Sequence, residues 1–507
     1  MSDSEDENIK HAIRLSLQEN SVDREQNDID RAIALSLQQE HHDNSSSSTA
    51  QAAADRVSDH NDDMRTAIAL SLGKSVDQLT AREALGLTAA TKDVVEQYNK
   101  RKRQEEEDTS DSSNKKTMGQ RYYWDGVVKL THVTGFTGPN FIRFEDIVEK
   151  DKLKKAVITA MVVSMDWIEE QFPSHINLCV VLHGRPAMAR QLSPTRTFIV
   201  PPLKDENWGV FHSKLMILVH EKSMRIVIGS ANLERYDYND LENVVFIQDF
   251  PLASKPATSI TQLPRFARDI AALLEQMHVP SSVQDELLKY DFSRAKAHVI
   301  ASVSGNFEGR DQYRQYGHAR LAQIIREIGA ADPNRPPRIE MQTSSLGGLN
   351  PSYLHELYRS FSGIDPYETS NKPVRMKNND PLPPIDIIYP SMDTVLDSRL
   401  GPPGAGTISS HVRRHKPSTT YIDAFQATLP KSSEHRLKGW VYCGSHNATM
   451  GAWGKLSIAR DSKQPKMSIN NWELGVILPL YEDSDIPVTY VRPPPRYRAG
   501  QDAWTQE

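Results

Sequence analysis

The sequence predicts an α/β protein made of two related α-β-α sandwich halves, preceded by a mostly disordered arm with short helices. Two observations predict the halves. From Tyr122 onward, apolar runs such as "AVITAMVVSMDWI", "NLCVVLH", "KLMILV" and "MRIVIG" alternate with helical patterns such as "RFARDIAALLEQM" and "LAQIIREIG", which reads as strands covered by helices. A strand followed by Gly-Ser-x-Asn then occurs twice, at 226–232 and 439–447, which implies an internal duplication. A third observation predicts the arm: residues 1–80 carry 16 acidic and 7 basic side chains, a balance of −9, so the remaining body is near +3 within the net −6.

Within the arm one pattern recurs three times, in "EDENIKHAIRLSLQE", "NDIDRAIALSLQQE" and "NDDMRTAIALSLGK" (about 5–19, 27–40 and 61–74). Each has acids, an apolar residue, then Ala-x-x-x-Ser: Ile9, Ala12 and Ser16; Ile29, Ala32 and Ser36; Met64, Ala67 and Ser71. Spacings of three and four place these residues on one helical face, and leading acids suit the positive end of a helix dipole. Small Ala and Ser let a partner backbone approach closely. Helices this short are marginal in water, and the polar tracts between them favour disorder. A repeated partner is therefore expected, against the alternative of solvated helices docked on the body.

Residues 81–121 read as a linker whose basic cluster, Lys100–Arg103, adjoins an acidic, Ser-rich run. A solvated helix end and a nuclear import signal both fit that cluster. Two cysteines, Cys179 and Cys443, in 507 residues argue against a disulfide framework or a cysteine-built zinc site and fit a reducing compartment. The acidic start "MSDSEDENIK" lacks the basic and apolar regions of a secretory signal, and no apolar run approaches the ~18 residues that span a bilayer. No membrane partner, metal or cofactor is expected.

The body divides at sequence level into halves at 122–335 and 336–507, with long Pro/Ser/Gly-rich connections near 362–384 and 400–418. Its chemistry centres on "FHSKLMILVHEKSMRIVIGSANL", residues 211–233. In an extended strand, residues two apart share a face roughly 7 Å apart, so His212 and Lys214 project together. The following strand ends in a turn that brings Ser230 and Asn232 to the same point. An imidazole, an ammonium, a hydroxyl and a carboxamide that converge make a phosphate nest in which His can attack phosphorus. The second copy, Gly444-Ser445-His446-Asn447, supplies Asn447. Downstream of the two copies stand Glu242 and Glu473, each entering an apolar strand.

With these residues in hand, the chain resembles the tyrosyl-DNA phosphodiesterase family of the phospholipase D superfamily, whose signature is paired H-x-K…N motifs. The resemblance spans about 122–507. The phospholipase-type signature adds an Asp five residues after the Lys, where this chain has Val219. The resemblance implies that His212 is the nucleophile, with Lys214, Asn232 and Asn447 as phosphate ligands. It also implies metal-free cleavage of a tyrosyl 3′-phosphodiester through a phosphohistidine. Ahead of the second GSxN stands "SSHVRRHKPSTTYIDAF". There His411-Val412-Arg413 keeps the spacing with Arg for Lys, whereas His415-Lys416 keeps both residue types without the spacer. His415, with Lys416 on phosphate, is the expected general acid and His411 the alternative; a second half without its acid is the third possibility. The arm segments resemble the ubiquitin-interacting motif, and the third ends in Lys74 where the pattern has an acid. These resemblances imply a monomeric, mainly nuclear DNA-repair hydrolase, partly cytoplasmic, acting on 3′-blocked DNA ends and recruited by ubiquitin. Two alternatives remain: a catalytically impaired ubiquitin- and DNA-binding adaptor, and a metal-independent nuclease of the same superfamily.

Overall fold

The computed structural model describes residues 122–505, apart from 206, 366, 368–380, 411–424, 429, 431–436, 482–483, 485–486, 491 and 499. The arm, with its nine ubiquitin-motif residues, and His411, His415 and Lys416 therefore lie outside the described residues.

The first half contributes β1 (Val127–Thr131), β2 (Phe141–Ile142), β3 (Leu153–Ala160), β4 (Asn177–Leu182), β5 (Met188–Ser193), β6 (Arg196–Val200), β7 (Leu215–His220), β8 (Ser223–Gly229) and β9 (Val244–Pro251). The second contributes β10 (His298–Ser302), β11 (Gly305–Glu308), β12 (Arg338–Gln342), β13 (Ser345–Leu346), β14 (Ile385–Ile388), β15 (Ser409–Ser410), β16 (Phe425–Thr428), β17 (Leu437–Gly444), β18 (Lys455–Ile458), β19 (Pro465–Ile469) and β20 (Glu473–Tyr481). Among the described residues β1–β9 form one sheet in the order β2-β1-β9-β8-β7-β3-β4-β6-β5, and the main second-half sheet runs β10-β20-β17-β16-β12-β14.

Within these orders lies the duplication. The series β1-β9-β8-β7-β3-β4 matches β10-β20-β17-β16-β12-β14 strand for strand, with four antiparallel pairings and then a parallel one in each. The second sheet thus begins with β10 at His298, upstream of the sequence-level boundary at 336. Pairing of β10 with β20 assigns His298–Ser302 to the second sheet.

Central strands β7 and β8 are buried at every position, which is why they read as continuous apolar runs and not as alternating ones. The helices α1 (Met165–Gln171), α2 (Arg235–Asn239), α3 (Arg265–Gln276), α4 (Gly317–Glu327) and α5 (Pro351–Phe361) cover the sheets. α3 buries Phe266, Ile270, Leu273 and Leu274 at helical spacing. α5 starts at Asn350, whose side chain accepts from the Tyr353 N–H at 2.9 Å, with Pro351 at its first position. One apolar core contains Ile228 and Phe246 together with Cys443, Trp472, Leu474 and Val476. The halves therefore share a core along β8, β9, β17 and β20, and the strand ends that carry the GSxN turns meet at that seam.

A buried ion pair fixes the far end of β8. Arg225 donates to Asp249 at 2.9 and 3.1 Å and to the carbonyls of Asp146 and Ile147, while Asp249 also accepts from the Tyr123 N–H at 2.7 Å. Removing one partner strands the other charge in the core. Asp249→Ala is expected to lower unfolding free energy by about 3–5 kcal/mol in urea titration, whereas Lys154→Ala, which breaks the exposed pair with Glu221, changes it by less than about 1 kcal/mol.

Candidate active site

The two GSxN turns are built alike, and steric constraint explains their glycines. A Cβ on Gly229 would lie 2.5 Å from the Val244 carbonyl oxygen, and one on Gly444 would lie 2.5 Å from that of Leu474. Each neighbouring strand passes too close for any side chain. Next in each turn, Ser230 and Ser445 accept from the N–H of Val244 (3.1 Å) and Leu474 (3.0 Å). Their hydroxyls then donate to Asn243 Oδ1 at 2.8 Å and Glu473 Oε2 at 2.6 Å, respectively. Ser230 is thereby committed to holding its turn and is not free to join a phosphate nest. Its hydroxyl looked available in sequence because the crossing strand was invisible there.

Asn243 is the register counterpart of Glu473, since Gly229 opposes Val245 and Gly444 opposes Gly475, each two residues further on. Glu242, which the sequence paired with Glu473, is one place off and exposed. A one-residue shift exchanges the faces of a strand.

Ahead of β7, the strand mouth carrying His212 docks on the second half: the His212 N–H donates to the Trp472 carbonyl at 2.9 Å, and Trp472 N–H to that of Val210 at 2.8 Å. The His212 Nδ1 stands 3.0 Å from the Ser445 carbonyl and 2.9 Å from Glu473 Oε2. Both neighbours are acceptors, so Nδ1 carries the proton and Nε2 keeps its lone pair. Glu473 is fully buried and also accepts from Asn471 Nδ2 at 3.2 Å. Burial pushes its carboxyl up, but His212, with help from His446 and Lys214, outweighs this and holds it below its ordinary 4.5.

Lys214 is buried and donates to the His212 carbonyl at 3.0 Å. Asn232 Oδ1 accepts from the Val162 N–H at 3.4 Å, and Asn447 Oδ1 accepts from Ser344 Oγ at 3.0 Å and the Ser345 N–H at 3.2 Å. Anchoring each carboxamide through its oxygen leaves Nδ2 as the donor. Asn232 lies in the first half and Asn447 in the second, as an interface site requires.

His446 has another role. Tyr442 OH lies 2.5 Å from Nδ1, and Ser302 Oγ lies 3.0 Å from Nε2 while donating to the Ala452 carbonyl at 2.6 Å. Ser302 therefore accepts from Nε2–H, and Nδ1 accepts from Tyr442. Stacked on Trp453 at 4.2 Å and fully buried, His446 has its pKa pushed down to about 4 by burial, despite the nearby Glu473. It is a neutral core residue. Among the described residues, no group of three or more His, Cys, Asp or Glu side chains is placed to hold a metal ion.

The strand that corresponds to β7 in the second half is β16. Phe425 opposes Tyr442, as Met216 opposes Val227, each two residues before its glycine. Residues 411–424, ahead of β16, carry His411, His415 and Lys416 and lie outside the described residues.

Comparison with known proteins fits this geometry. The tyrosyl-DNA phosphodiesterase family model matches residues 127–438 and 419–493. The chain belongs to the tyrosyl-DNA phosphodiesterase family. Among curated relatives it is 26% identical over 380 residues to tyrosyl-DNA phosphodiesterase 1 of Arabidopsis thaliana, covering 66% of this chain and 58% of that protein. It is 26% identical over 292 residues to tyrosyl-DNA phosphodiesterase 1 of Drosophila melanogaster, covering 52% and 49%. The matches thus span about half of those relatives' length. The solved yeast tyrosyl-DNA phosphodiesterase shares the fold, with a TM-score of 0.57 at 16% identity over 75% of this chain and 100% of that one. In the arm, residues 4–20, 25–40 and 59–75 match ubiquitin interaction motif models.

A histidine that refuses a proton when folded makes stability depend on pH. The unfolded chain binds that proton below about 6.5 and the folded chain only below about 4, so stability is full above 6.5 and falls as pH drops toward 4. Urea titrations from pH 7 to 4.5 are expected to show a loss attributable to His446 of roughly 2–3 kcal/mol. His446→Gln should flatten that part of the slope.

Proposed function

We propose that this chain is a DNA-repair phosphodiesterase that hydrolyses 3′-phosphotyrosyl DNA ends through a phosphohistidine, with an arm that recruits it to ubiquitin-modified adducts. The observation that carries the reading is the His212 tautomer. Its Nδ1–H is held by Glu473 and Ser445, Nε2 is left as a nucleophile, and the Lys214 ammonium bonds the His212 carbonyl.

In the first step Nε2 attacks phosphorus, the P–O bond to tyrosine breaks, and the phenolate (ordinary phenol pKa ~10) leaves or is protonated by the second half. Lys214 and the Nδ2 groups of Asn232 and Asn447 hold the non-bridging oxygens as charge develops. Glu473 balances the positive charge on the imidazole once Nε2 is bonded. In the second step water attacks the phosphohistidine, releasing a 3′-phosphate and restoring the imidazole. His415 is the proposed acid and base of the second half, with Lys416 on phosphate and His411 as the alternative. All of the chemistry is carried by side chains, with no metal or cofactor assigned a step. The substrate class rests on family membership, as does a nuclear site of action; monomeric action rests on each chain carrying both halves of the site.

A second reading is a second half without its histidine, in which water attack lacks its base and turnover stalls at the adduct. A tyrosyl 3′-phosphate oligonucleotide in excess chelator separates the readings. Steady release of 3′-phosphate that is lost in His212→Ala, with adduct accumulating in His415→Ala or His411→Ala, supports the full cycle. Stoichiometric adduct in the wild type supports the stalled one. Activity that disappears with chelator and returns with magnesium contradicts both.

For the arm, each motif is expected to bind ubiquitin weakly and the three together to bind chains more tightly, with the third weakest because of Lys74. Replacing Ala12, Ala32 and Ala67 with Trp should abolish shift changes in NMR titrations with ubiquitin while cleavage of naked oligonucleotide is unchanged.

A further inference from the structure

A second buried carboxylate, besides Glu473, faces Lys214 and His212. Asp237, on the short helix α2, is 5% exposed, and its Oδ2 accepts the Asn232 N–H at 2.6 Å. That hydrogen bond closes the turn after the first GSxN and draws the Asn232 backbone toward α2. The helix is tied back in turn, since the Asp237 carbonyl accepts from Asn243 Nδ2 at 3.1 Å, the same Asn243 that receives the Ser230 hydroxyl. The Lys214 ammonium and the His212 imidazole face the carboxylate. Burial pushes the Asp237 carboxyl above its ordinary range, and these neighbours oppose the rise.

Lys214 is 4% exposed, and an ammonium so buried is costly unless a negative charge lies nearby. Glu473, which Lys214 also faces, already hydrogen-bonds His212, Ser445 and Asn471. Asp237 is the carboxylate on the Asn232 side. Before substrate arrives it can balance Lys214. Once a phosphodiester binds, the ammonium is shared between two anions, which weakens ground-state binding. The pentacoordinate transition state carries more negative charge on its oxygens and draws Lys214 more strongly.

We propose that Asp237 is a positioning residue of the phosphate site: it fixes the Asn232 turn through its hydrogen bond and holds Lys214 through its charge, so that the site grips the transition state more tightly than bound phosphate. The assignment rests on the phosphodiester reading of the site, but its test does not require turnover.

The experiment titrates inorganic phosphate into the full chain by calorimetry, for wild type, Asp237→Asn, Asp237→Ala, Lys214→Gln and the Asp237→Asn/Lys214→Gln double variant. Asp237→Asn keeps the acceptor for the Asn232 N–H and removes only charge, so phosphate should bind on the order of tenfold tighter. Asp237→Ala removes both and should bind phosphate more weakly than wild type through loss of the turn. The gain in Asp237→Asn should vanish when Lys214 is Gln, a coupling that a purely structural role would not give. With a cleavable phosphodiester, Asp237→Asn should lower kcat and lower KM together. These signed shifts in a chain that cleaves nothing would support the positioning role while the phosphodiesterase reading fails. Unchanged phosphate affinity in Asp237→Asn, a gain that persists without Lys214, or no phosphate binding by any of the five proteins would overturn the proposal.

Discussion

The hydrogen bond between His212 Nδ1 and the Glu473 carboxylate joins the halves and sets the chemistry at once. Glu473 is fully buried, and a carboxylate in that position is tolerated only when donors surround it. Three do: the imidazole, the Ser445 hydroxyl and the Asn471 carboxamide. Because the imidazole comes from one half and the other donors from the second, the charge is compensated only in the assembled pair. The same contact directs the Nδ1 proton inward and leaves Nε2 with its lone pair. Folding and catalytic competence therefore depend on one geometry.

Behind that contact is a steric rule that appears twice. At Gly229 and Gly444 the adjoining strand leaves no space for a Cβ, and the following serine closes the turn by bonding both the backbone and the side chain at the next strand's mouth. The rule is the same, but the side chains it positions differ. The second turn presents Glu473 to His212, whereas the first presents Asn243, which is neutral and shorter. A neutral carboxamide cannot balance an imidazolium as a carboxylate does. The site is thus asymmetric in charge even though its backbone is symmetric.

Much of this was legible in the sequence. The alternation of buried strands and amphipathic helices gave the class, and the two GSxN turns gave the duplication. Lys214 bonds the His212 carbonyl, and the turn that carries Asn447 brings the Ser445 carbonyl to His212 Nδ1. What failed did so for identifiable physical reasons. Glu242 was paired with Glu473 by proximity to an apolar run, yet register selects Asn243, and one residue decides which face a strand side chain occupies. Ser230 lost its expected phosphate contact to a strand brought beside it by tertiary packing. Asp237 carried a signal, an acid five residues after Asn232, but nothing in the sequence said that a five-residue helix would bury it. Between His415 and His411 spacing does not choose, because one keeps the residue types and the other the spacer, and both lie outside the described residues.

The central claim is that Glu473 and Ser445 impose the Nδ1–H tautomer on His212. It is tested most directly by long-range 1H–15N correlation of the imidazole rings in selectively labelled protein at neutral pH, with His212 assigned by difference against His212→Gln. The account predicts a protonated Nδ1 and a bare Nε2 for His212, with that preference lost in Glu473→Ala. A protonated Nε2 with a bare Nδ1 in the wild type would contradict it.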